Sequence, residues 1–405
     1  MRSRVDVFFE PHQQLVELSL LFGVGHYLDL NVLYEVDSAL CALGNARVTP
    51  GRRTWTTQMW SRPELEGALR KVGLGEHAAE LTRVARHCII LVPGPVEEAN
   101  MPLGSSRLGG EPDMPCDIDW PMRPALESND DWSGPLPGRV LLGSRHWLHR
   151  LFRTERWKQA SQAWERSRQA ERCIRNRDWP LSFVAQIDFA ELSAVRVLAG
   201  FPSAGRLLLF CDPFDWPWGE RADQARARAV FTEQPIERLQ RRRAPLEFVE
   251  PEAREVMPRG FVFKPRILQP TAWLLPPPLR SRELNRLRAE QPSAWKHNGP
   301  AFSAYCQFWD DLCARHPDVF GDQGQMIHQV GGSAFSIQEP VEQETAKLAA
   351  DAPAMAADWQ LILQISSDID AGMEWGDSGR LYLSARKQDL TARRFEQCWM
   401  IMQCY

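Results

Sequence analysis

The feature that most constrains the fold of this chain is a set of short motifs that occurs twice in the same order. Each copy has a Gly-Gly pair, then a strand-like run ending in Gln-Ile, and then Gly-Arg-Leu at the start of another such run. In the first copy these motifs begin at Gly109, Gln186 and Gly205. In the second copy they begin at Gly331, Gln364 and Gly379. An ordered set that recurs predicts an internal duplication, in which two units bury their apolar faces against each other.

The residues of these runs favour β-strands. "LSFVAQI" and "LILQI" are short and rich in aliphatic and β-forming residues. "GRLLLF" and "GRLYL" follow turn-forming residues, and Gly205 and Gly379 can take positive φ at little steric cost. We therefore predict an α+β fold, rich in β-structure, with an internal duplication of two related sheet units, a helical N-terminal segment and a helical insertion.

This pattern also predicts the organisation of domains. Residues 1–74 form a helical N-terminal extension, with helical patterns in "QQLVELSLLF" and "RPELEGALRKVGL". Residues 75–405 form the duplicated domain. Within it, repeat 1 covers about residues 100–232 and repeat 2 covers about residues 261–405.

Repeat 1 is longer than repeat 2, and the excess predicts a helical insertion at residues 123–178. Trp120-Pro121 and Trp179-Pro180 bound it, and "HWLHRLFRTERWKQASQAWERSRQAERCIRNRDWP" has the period of a basic amphipathic helix. Such a helix could contact nucleic acid or another acidic partner. A solvated arginine-rich face with its tryptophan side packed inward is the more common arrangement and is favoured here.

Composition excludes several classes of protein. The 405 residues carry a formal net charge of −4, which makes nucleic-acid binding by overall charge unlikely. The nine cysteines include no C-x-x-C motif, so reduced thiols are expected rather than a disulfide framework or a metal site. The most apolar segment, "LVELSLLFGVGHYLDL", is interrupted by Glu17 and His26 and is too polar to span a membrane. We expect a cytoplasmic protein that does not bind membranes.

The motifs of common enzymes are missing from the sequence. It has no phosphate-binding G-x-x-x-x-G-K, no H-E-x-x-H and no G-x-S-x-G. The acidic run from Asp368 to Asp377 is similar to a calcium loop, but its sixth and twelfth positions are Met373 and Gly379 rather than Gly and Glu. A turn-rich, solvated loop before a strand is the favoured interpretation. We expect no cofactor and no metal, and favour a protein that is not an enzyme.

Several of these segments together resemble one family. "SSRLGGEPDMP", "PLSFVAQIDFAEL", "PSAGRLLLF", "HQVGGSAFSIQ" and "MEWGDSGRLYL" are similar to segments of the YwqG-like family, a bacterial domain of unknown function, and the resemblance covers about residues 78–405. It implies a duplicated, β-rich α+β protein without an established activity. Some such domains resemble antitoxin or immunity partners of secreted toxins. The helical insertion and residues 1–74 depart from the family pattern.

Polar residues inside the apolar strands are the first candidates for a binding site. Gln186 and Gln364 lie at matching repeat positions, and a buried carboxamide without hydrogen-bond partners costs roughly 1–3 kcal/mol. We expect the two side chains to face each other near a pseudo-twofold axis. The other candidates lie in or beside the repeated segments and are Arg107, Asp188, His328, Gln338, Trp375 and Asp377.

Two interpretations of these residues remain open. The glutamines could satisfy strand backbone and hold the repeats together, which is favoured, or they could bind a ligand in a crevice. The favoured function is a non-enzymatic binding or protein-interaction protein with a protein partner, and one form of this role is that the chain is itself an immunity or antitoxin protein. The alternative is a small-molecule-binding protein or hydrolase that uses Asp188, His328 and Asp377 in a crevice between the repeats.

Overall fold

The computed structural model describes residues 60–126, 155–257, 260–297, 299–321, 326–349 and 353–405. Of the predicted N-terminal extension, only the part from Trp60 onwards is therefore described, and "QQLVELSLLF" lies outside it. The described part is mixed helix and strand, so the prediction of an α+β fold is confirmed.

Ten α-helices are present in the described residues. In chain order they are α1 (Arg62–Lys71), α2 (Ala78–Val84), α3 (Glu155–Arg175), α4 (Phe189–Val195), α5 (Pro251–Val256), α6 (Arg282–Glu290), α7 (Pro300–Arg315), α8 (Pro317–Phe320), α9 (Val341–Leu348) and α10 (Lys387–Thr391).

The strands of the described residues are numbered β1 to β14. They are β1 (Arg86–Pro95), β2 (Arg107–Leu108), β3 (Asp113–Pro115), β4 (Met122–Arg123), β5 (Trp179–Pro180), β6 (Ser182–Asp188), β7 (Arg206–Cys211), β8 (Ala227–Thr232), β9 (Leu239–Arg241), β10 (Arg266–Leu275), β11 (Gln329–Gly331), β12 (Trp359–Ser366), β13 (Arg380–Arg386) and β14 (Trp399–Gln403).

A ten-stranded sheet organises the fold, in the order β14-β13-β12-β11-β1-β10-β2-β6-β7-β8. Its neighbouring strands pair antiparallel. The two longest strands, β1 and β10, pair at its centre from Arg86↔Leu275 to Pro95↔Arg266. Strand β1 then pairs with β11 and β10 pairs with β2, so each central strand joins residues far away in the sequence.

Alternating residues of the sheet bury two different cores, as the period of two in a strand requires. Ile89 and Leu91 of β1 face one core together with side chains from both ends of the sheet. We call this core the inner core. Cys88 and Ile90 point the other way, into a layer formed by α1, α2, α6, α7 and α8, which we call the outer core.

The start of α1 shows how local sequence places this helical layer. In "SRPE", Ser61 accepts a hydrogen bond from the Glu64 N–H, and the Glu64 carboxylate accepts one from the Ser61 N–H. This capping box satisfies N–H groups that a helix start leaves free, and Pro63 fits a position where no N–H is needed. Leu65 and Leu69 are then both fully buried in the outer core.

The predicted insertion has its helix at α3, and its base is tied into the fold. Strands β4 and β5 pair at the two ends of the insertion. Arg123 and Asp212 form an ion pair at 2.5 Å, and neither side chain is exposed. Arg123 also donates to the carbonyl of Ile174 near the end of α3. Arg123, predicted to begin the insertion, is therefore part of the buried framework that anchors it.

No helix among the described residues is both long enough and apolar enough to cross a membrane.

Removing the charge of Asp212 tests this anchor. We expect Asp212→Asn to lower the free energy of unfolding by about 3–5 kcal/mol, because the Arg123 charge would stay buried without its partner. The control is Glu66→Gln, which removes an exposed ion pair with Arg70 and should cost less than about 1 kcal/mol. Urea unfolding measures both variants. Equal stability of Asp212→Asn and the wild type would contradict a buried pair.

Candidate functional site

Gln186, a predicted site residue, holds a loop to its strand. Its neighbours Ala185 and Ile187 face the inner core, so the carboxamide points to the opposite side of the sheet. There Gln186 Nε2 donates to the Ser105 carbonyl at 2.9 Å, and Gln186 Oε1 accepts from the Asp113 N–H at 3.0 Å. The side chain is fully buried and bonded at both ends.

Gln364 makes the corresponding bonds in the second half of the chain. Its Nε2 donates to the Ile327 carbonyl at 3.1 Å, and its Oε1 accepts from the Phe335 N–H at 3.0 Å. Ile327 lies two residues before Gln329, which pairs with Gln364 in the sheet. In the same way, Ser105 lies two residues before Arg107, which pairs with Gln186.

The two glutamines do not face each other, contrary to the prediction. In the order of the sheet, β11, β1, β10 and β2 lie between β12, which carries Gln364, and β6, which carries Gln186. Both carboxamides also point away from the inner core that the two halves share. The sequence pattern identified both glutamines as buried polar residues, but it does not show towards which face of the sheet their side chains point.

Arg107 lies in a closed network of charges. Its side chain is fully buried and forms ion pairs with Asp113 and, at 2.8 Å, with Glu98. Arg241 donates to the second oxygen of Asp113 at 2.9 Å. Burial would raise the pKa of Asp113, but the hydrogen bond from Arg241 and the charge of Arg107 lower it below the ordinary value. The network fixes the loop around Gly109 rather than opening it to a ligand.

The structure places the remaining predicted residues in separate environments. Asp188 accepts from the Ala190 N–H at the start of α4 and pairs with Arg206 at 3.0 Å. Trp375 is fully buried in the inner core. Gln338 is exposed and donates to the Cys404 carbonyl.

Asp377 is also exposed, and it is not the acidic neighbour of His328. The turn that contains it is closed by the Gly379 N–H, which donates to the Trp375 carbonyl at 2.8 Å. Among the described residues, the carboxylate paired with His328 is Asp368. No hydrogen bond or ion pair joins Asp188, His328 and Asp377 in the described part of the chain.

His328, Asp368 and Arg266 form a charged centre at the edge of the inner core. His328 Nε2 lies 3.6 Å from Asp368 Oδ2, and each side chain is 1% exposed. Arg266 Nη1 donates to Asp368 Oδ1 at 2.8 Å and to the exposed Asp370 at the same distance. We call these four residues the His328 centre.

The histidine is the unusual member of the His328 centre. Among the described residues its buried Nδ1 has no hydrogen-bond partner, and its buried Nε2 has only the 3.6 Å contact with Asp368. Buried polar atoms are normally bonded, so such an atom marks a position where water, an ion or a ligand fits. His328 can donate or accept a proton there, beside a fixed carboxylate. No group of three or more metal-ligating side chains is present in the described part of the chain.

Asp368 is held ionised by its surroundings. Burial would raise its pKa, but His328, the Ala371 N–H and the charge of Arg266 outweigh burial and lower the pKa to about 2. The sequence predicts a turn-rich, solvated loop at Asp368. An isolated bridge to Met373 confirms the turn, but the loop is not solvated at these two residues, which are 1% and 0% exposed. The cluster of acidic residues in the sequence indicated the loop, but it did not indicate the contacts of Asp368 with His328 and Arg266.

Tryptophans form a second candidate surface, on the loop between β7 and β8. Its backbone is fixed to β14, because Pro217 accepts from the Met402 N–H at 2.8 Å and Gly219 accepts from Trp399 Nε1 at 2.8 Å. Trp218 is 46% exposed and stands edge-on to Trp216, with ring centroids 6.0 Å apart. Trp216, Trp218 and Trp399 are called the tryptophan surface below.

Gly219 allows this loop to lie against the sheet. Its φ is +102°, and a Cβ there would come within 2.7 Å of Leu348 and 2.9 Å of Ile401. Only glycine fits such a conformation and approach. The exposed Trp218 is thus carried by a loop with a fixed path.

Comparison with protein families identifies the class to which these features belong. Residues 106–404 match the model of a domain of unknown function, DUF1963. The chain therefore belongs to that family, and the match includes His328, Gln186, Gln364 and the tryptophan surface. No curated protein matches the sequence.

Replacing Asp368 tests the electrostatics of the His328 centre. We expect Asp368→Asn to lower the free energy of unfolding at pH 7 by about 2 kcal/mol, the amount linked to a carboxyl pKa near 2. Because the folded-state pKa lies below the unfolded one, this contribution is present above about pH 4 and is lost as pH falls towards 2. Urea unfolding from pH 7 to acid should show the two curves converging.

The matched control for this variant is Asp370→Asn. Asp370 shares Arg266 with Asp368, but its side chain is 78% exposed. It should cost less than about 1 kcal/mol, as exposed pairs do. A constant difference between Asp368→Asn and the wild type at all pH values would contradict the assigned electrostatics.

Proposed function

We propose that this member of the DUF1963 family is a non-enzymatic binding protein whose partner is another protein. The observation that carries the proposal is the exposure of Trp218 on a loop whose backbone is bonded to β14. Large aromatic side chains in contact with solvent are the residues that most often dominate protein interfaces. A loop that already has its bound path loses little entropy when a partner binds.

The proposal also covers the bacterial origin of the protein, the form of its binding role and its cellular compartment. The resemblance to YwqG-like proteins supports a bacterial protein, and an immunity or antitoxin protein that binds a secreted toxin is one form of the binding role. All eight cysteines of the described residues are free thiols, which supports a reducing compartment such as the cytoplasm.

We further propose that the sheet arose by internal duplication. Three equivalences support it: the carboxamide bonds of Gln186 and Gln364, the register shifts just before them in β6 and β12, and the positive φ of both Gly-Gly pairs. Strand β1 lies before the predicted repeat 1 and β10 lies at the start of the predicted repeat 2, and each of the two pairs with a strand of the other half.

A second candidate function uses the His328 centre. The specific observation in its favour is the buried His328, whose Nδ1 has no hydrogen-bond partner among the described residues and whose Nε2 has only the 3.6 Å contact with the ionised Asp368. This would suit a small polar ligand or a hydrolytic reaction. Hydrolysis of p-nitrophenyl acetate that falls about a hundredfold in His328→Ala, at an unchanged Tm, would favour this candidate over the interaction role.

The interaction role predicts the result of a capture experiment with Trp218→Ala. Proteins retained from an extract of the native cell by the wild-type chain should be depleted by about tenfold or more with this variant, because a central interface tryptophan contributes 2 kcal/mol or more. The Tm should stay unchanged, since Trp218 is largely outside the core. The control is Leu246→Ala, at a side chain 82% exposed elsewhere on the surface. Identical retention by all three chains would contradict the proposal.

The duplication predicts equal roles for the two glutamines. Gln186→Leu and Gln364→Leu should each lower the free energy of unfolding by about 1–4 kcal/mol. The first leaves the Asp113 N–H and the Ser105 carbonyl without their partner. The second leaves the Phe335 N–H without its partner, while the Ile327 carbonyl keeps only the Ser366 hydroxyl. Gln338→Leu, at an exposed position, serves as the control and should change stability little. Guanidinium unfolding measures all three. A near-zero cost at only one of the two buried positions would argue against equivalence.

A further inference from the structure

The two edge strands of the large sheet, β14 and β8, differ in whether other parts of the chain bond to their outward backbone groups. An edge strand presents backbone N–H and C=O groups that can pair with another strand. On β14, Met400 donates its N–H to Gln224 Oε1 at 3.0 Å and accepts at its carbonyl from Gln224 Nε2 at 3.1 Å. Met402 donates to Pro217. The β14 edge is therefore already occupied.

The bonds between Gln224 and Met400 have the pattern of backbone pairing in a β-sheet. A glutamine carboxamide has the same donor and acceptor as a peptide group. By bonding both outward groups of Met400, it takes the place that a peptide of a neighbouring antiparallel strand would take. The molecule thus shows, on its own edge, the chemical group that such a position binds.

Ala229 of β8 is the position on the other edge that corresponds to Met400. Met400 pairs with Leu383 of β13, and Ala229 pairs with Leu209 of β7, with all four residues at the inner core. The Asp212 N–H donates to the Arg226 carbonyl, so Arg226 turns its backbone towards β7. Since the direction alternates along a strand, Ala227 and Ala229 turn theirs outward.

The outward groups of Ala229 have no equivalent of Gln224. Within the described ranges, neither its N–H nor its carbonyl has a hydrogen-bond partner on that side. A cleft with a cavity volume of about 110 Å³ lies beside it. Its lining includes the apolar side chains Leu383, Phe395 and Met400. Phe231 and Phe395 stack with ring centroids 4.6 Å apart and close the far end, and Ala227 is only 8% exposed, which leaves Ala229 as the accessible position of this edge.

We propose that the β8 edge at Ala229 binds an extended peptide segment of a partner, which adds a strand to the sheet and places an apolar side chain in the cleft. Main-chain bonds to the edge and one side-chain pocket are the usual elements of this mode of recognition. Arg228 and Glu396, both exposed, stand among the cleft residues and favour flanking charges of opposite sign. This surface goes beyond the tryptophan surface and does not require it.

Amide hydrogen exchange of the wild-type full chain tests the free edge without a ligand. The Ala229 N–H should exchange much faster than the N–H of Val230, which points towards β7. Equal protection of the two amides would overturn the proposal. This measurement stands whether or not any variant folds.

Selection from a displayed library of short random peptides tests the binding. Enriched peptides should slow exchange of the Ala229 N–H, and Ala229→Pro should weaken them about tenfold, because proline removes the outward donor. Leu246→Ala should leave their affinity unchanged. Failure to enrich any peptide, or enrichment of peptides that leave Ala229 exchange unaltered, would overturn the proposal.

The same selection separates the two proposed surfaces. Peptides weakened by Trp218→Ala and not by Ala229→Pro bind the tryptophan surface. That outcome would contradict strand addition at β8 while leaving the interaction role intact. Peptides weakened by Ala229→Pro and not by Trp218→Ala would support the β8 edge, whatever the result of capture at the tryptophan surface.

Discussion

The antiparallel pairing of β1 with β10 is the constraint on which the rest of the structure depends. It joins the strand that precedes the first half to the strand that precedes the second, from Arg86↔Leu275 to Pro95↔Arg266. Each strand then pairs outward with the half that does not follow it in sequence. The two halves cannot separate without breaking this ladder, so they share the inner core and are expected to unfold together.

This arrangement also explains why the polar residues of the chain take different roles. Gln186 and Gln364 bond loops of their own half on the side of the sheet away from the inner core, and Arg107 neutralises Asp113 in the same region. Such buried, hydrogen-bonded and ion-paired groups stabilise a single conformation. His328 and Trp218 differ, because the first has unbonded buried nitrogens and the second is exposed on a fixed loop. Binding is therefore proposed at residues whose capacity for contact is not already used.

The sequence predicted those parts of the fold that depend on local pattern. It located β6, β7, β12 and β13 from their apolar runs and turns, and it identified the buried glutamines. The sequence did not predict which strands pair, since the β1–β11 contact depends on a register between distant segments. For the same reason the sequence associated His328 with Asp377 rather than with Asp368, although all three lie in repeated or acidic segments. Local composition places an acidic loop, but only tertiary packing decides which of its carboxylates is buried.

Hydrogen exchange of a purified complex with a captured partner distinguishes most directly between the proposed modes of binding. The account predicts that the partner slows exchange in the tryptophan-bearing loop and along β8, where backbone and aromatic groups are available, and leaves residues 366–373 unchanged. Protection confined to the segments around His328 and Asp368, with none in the loop or in β8, would contradict it and assign binding to the His328 centre.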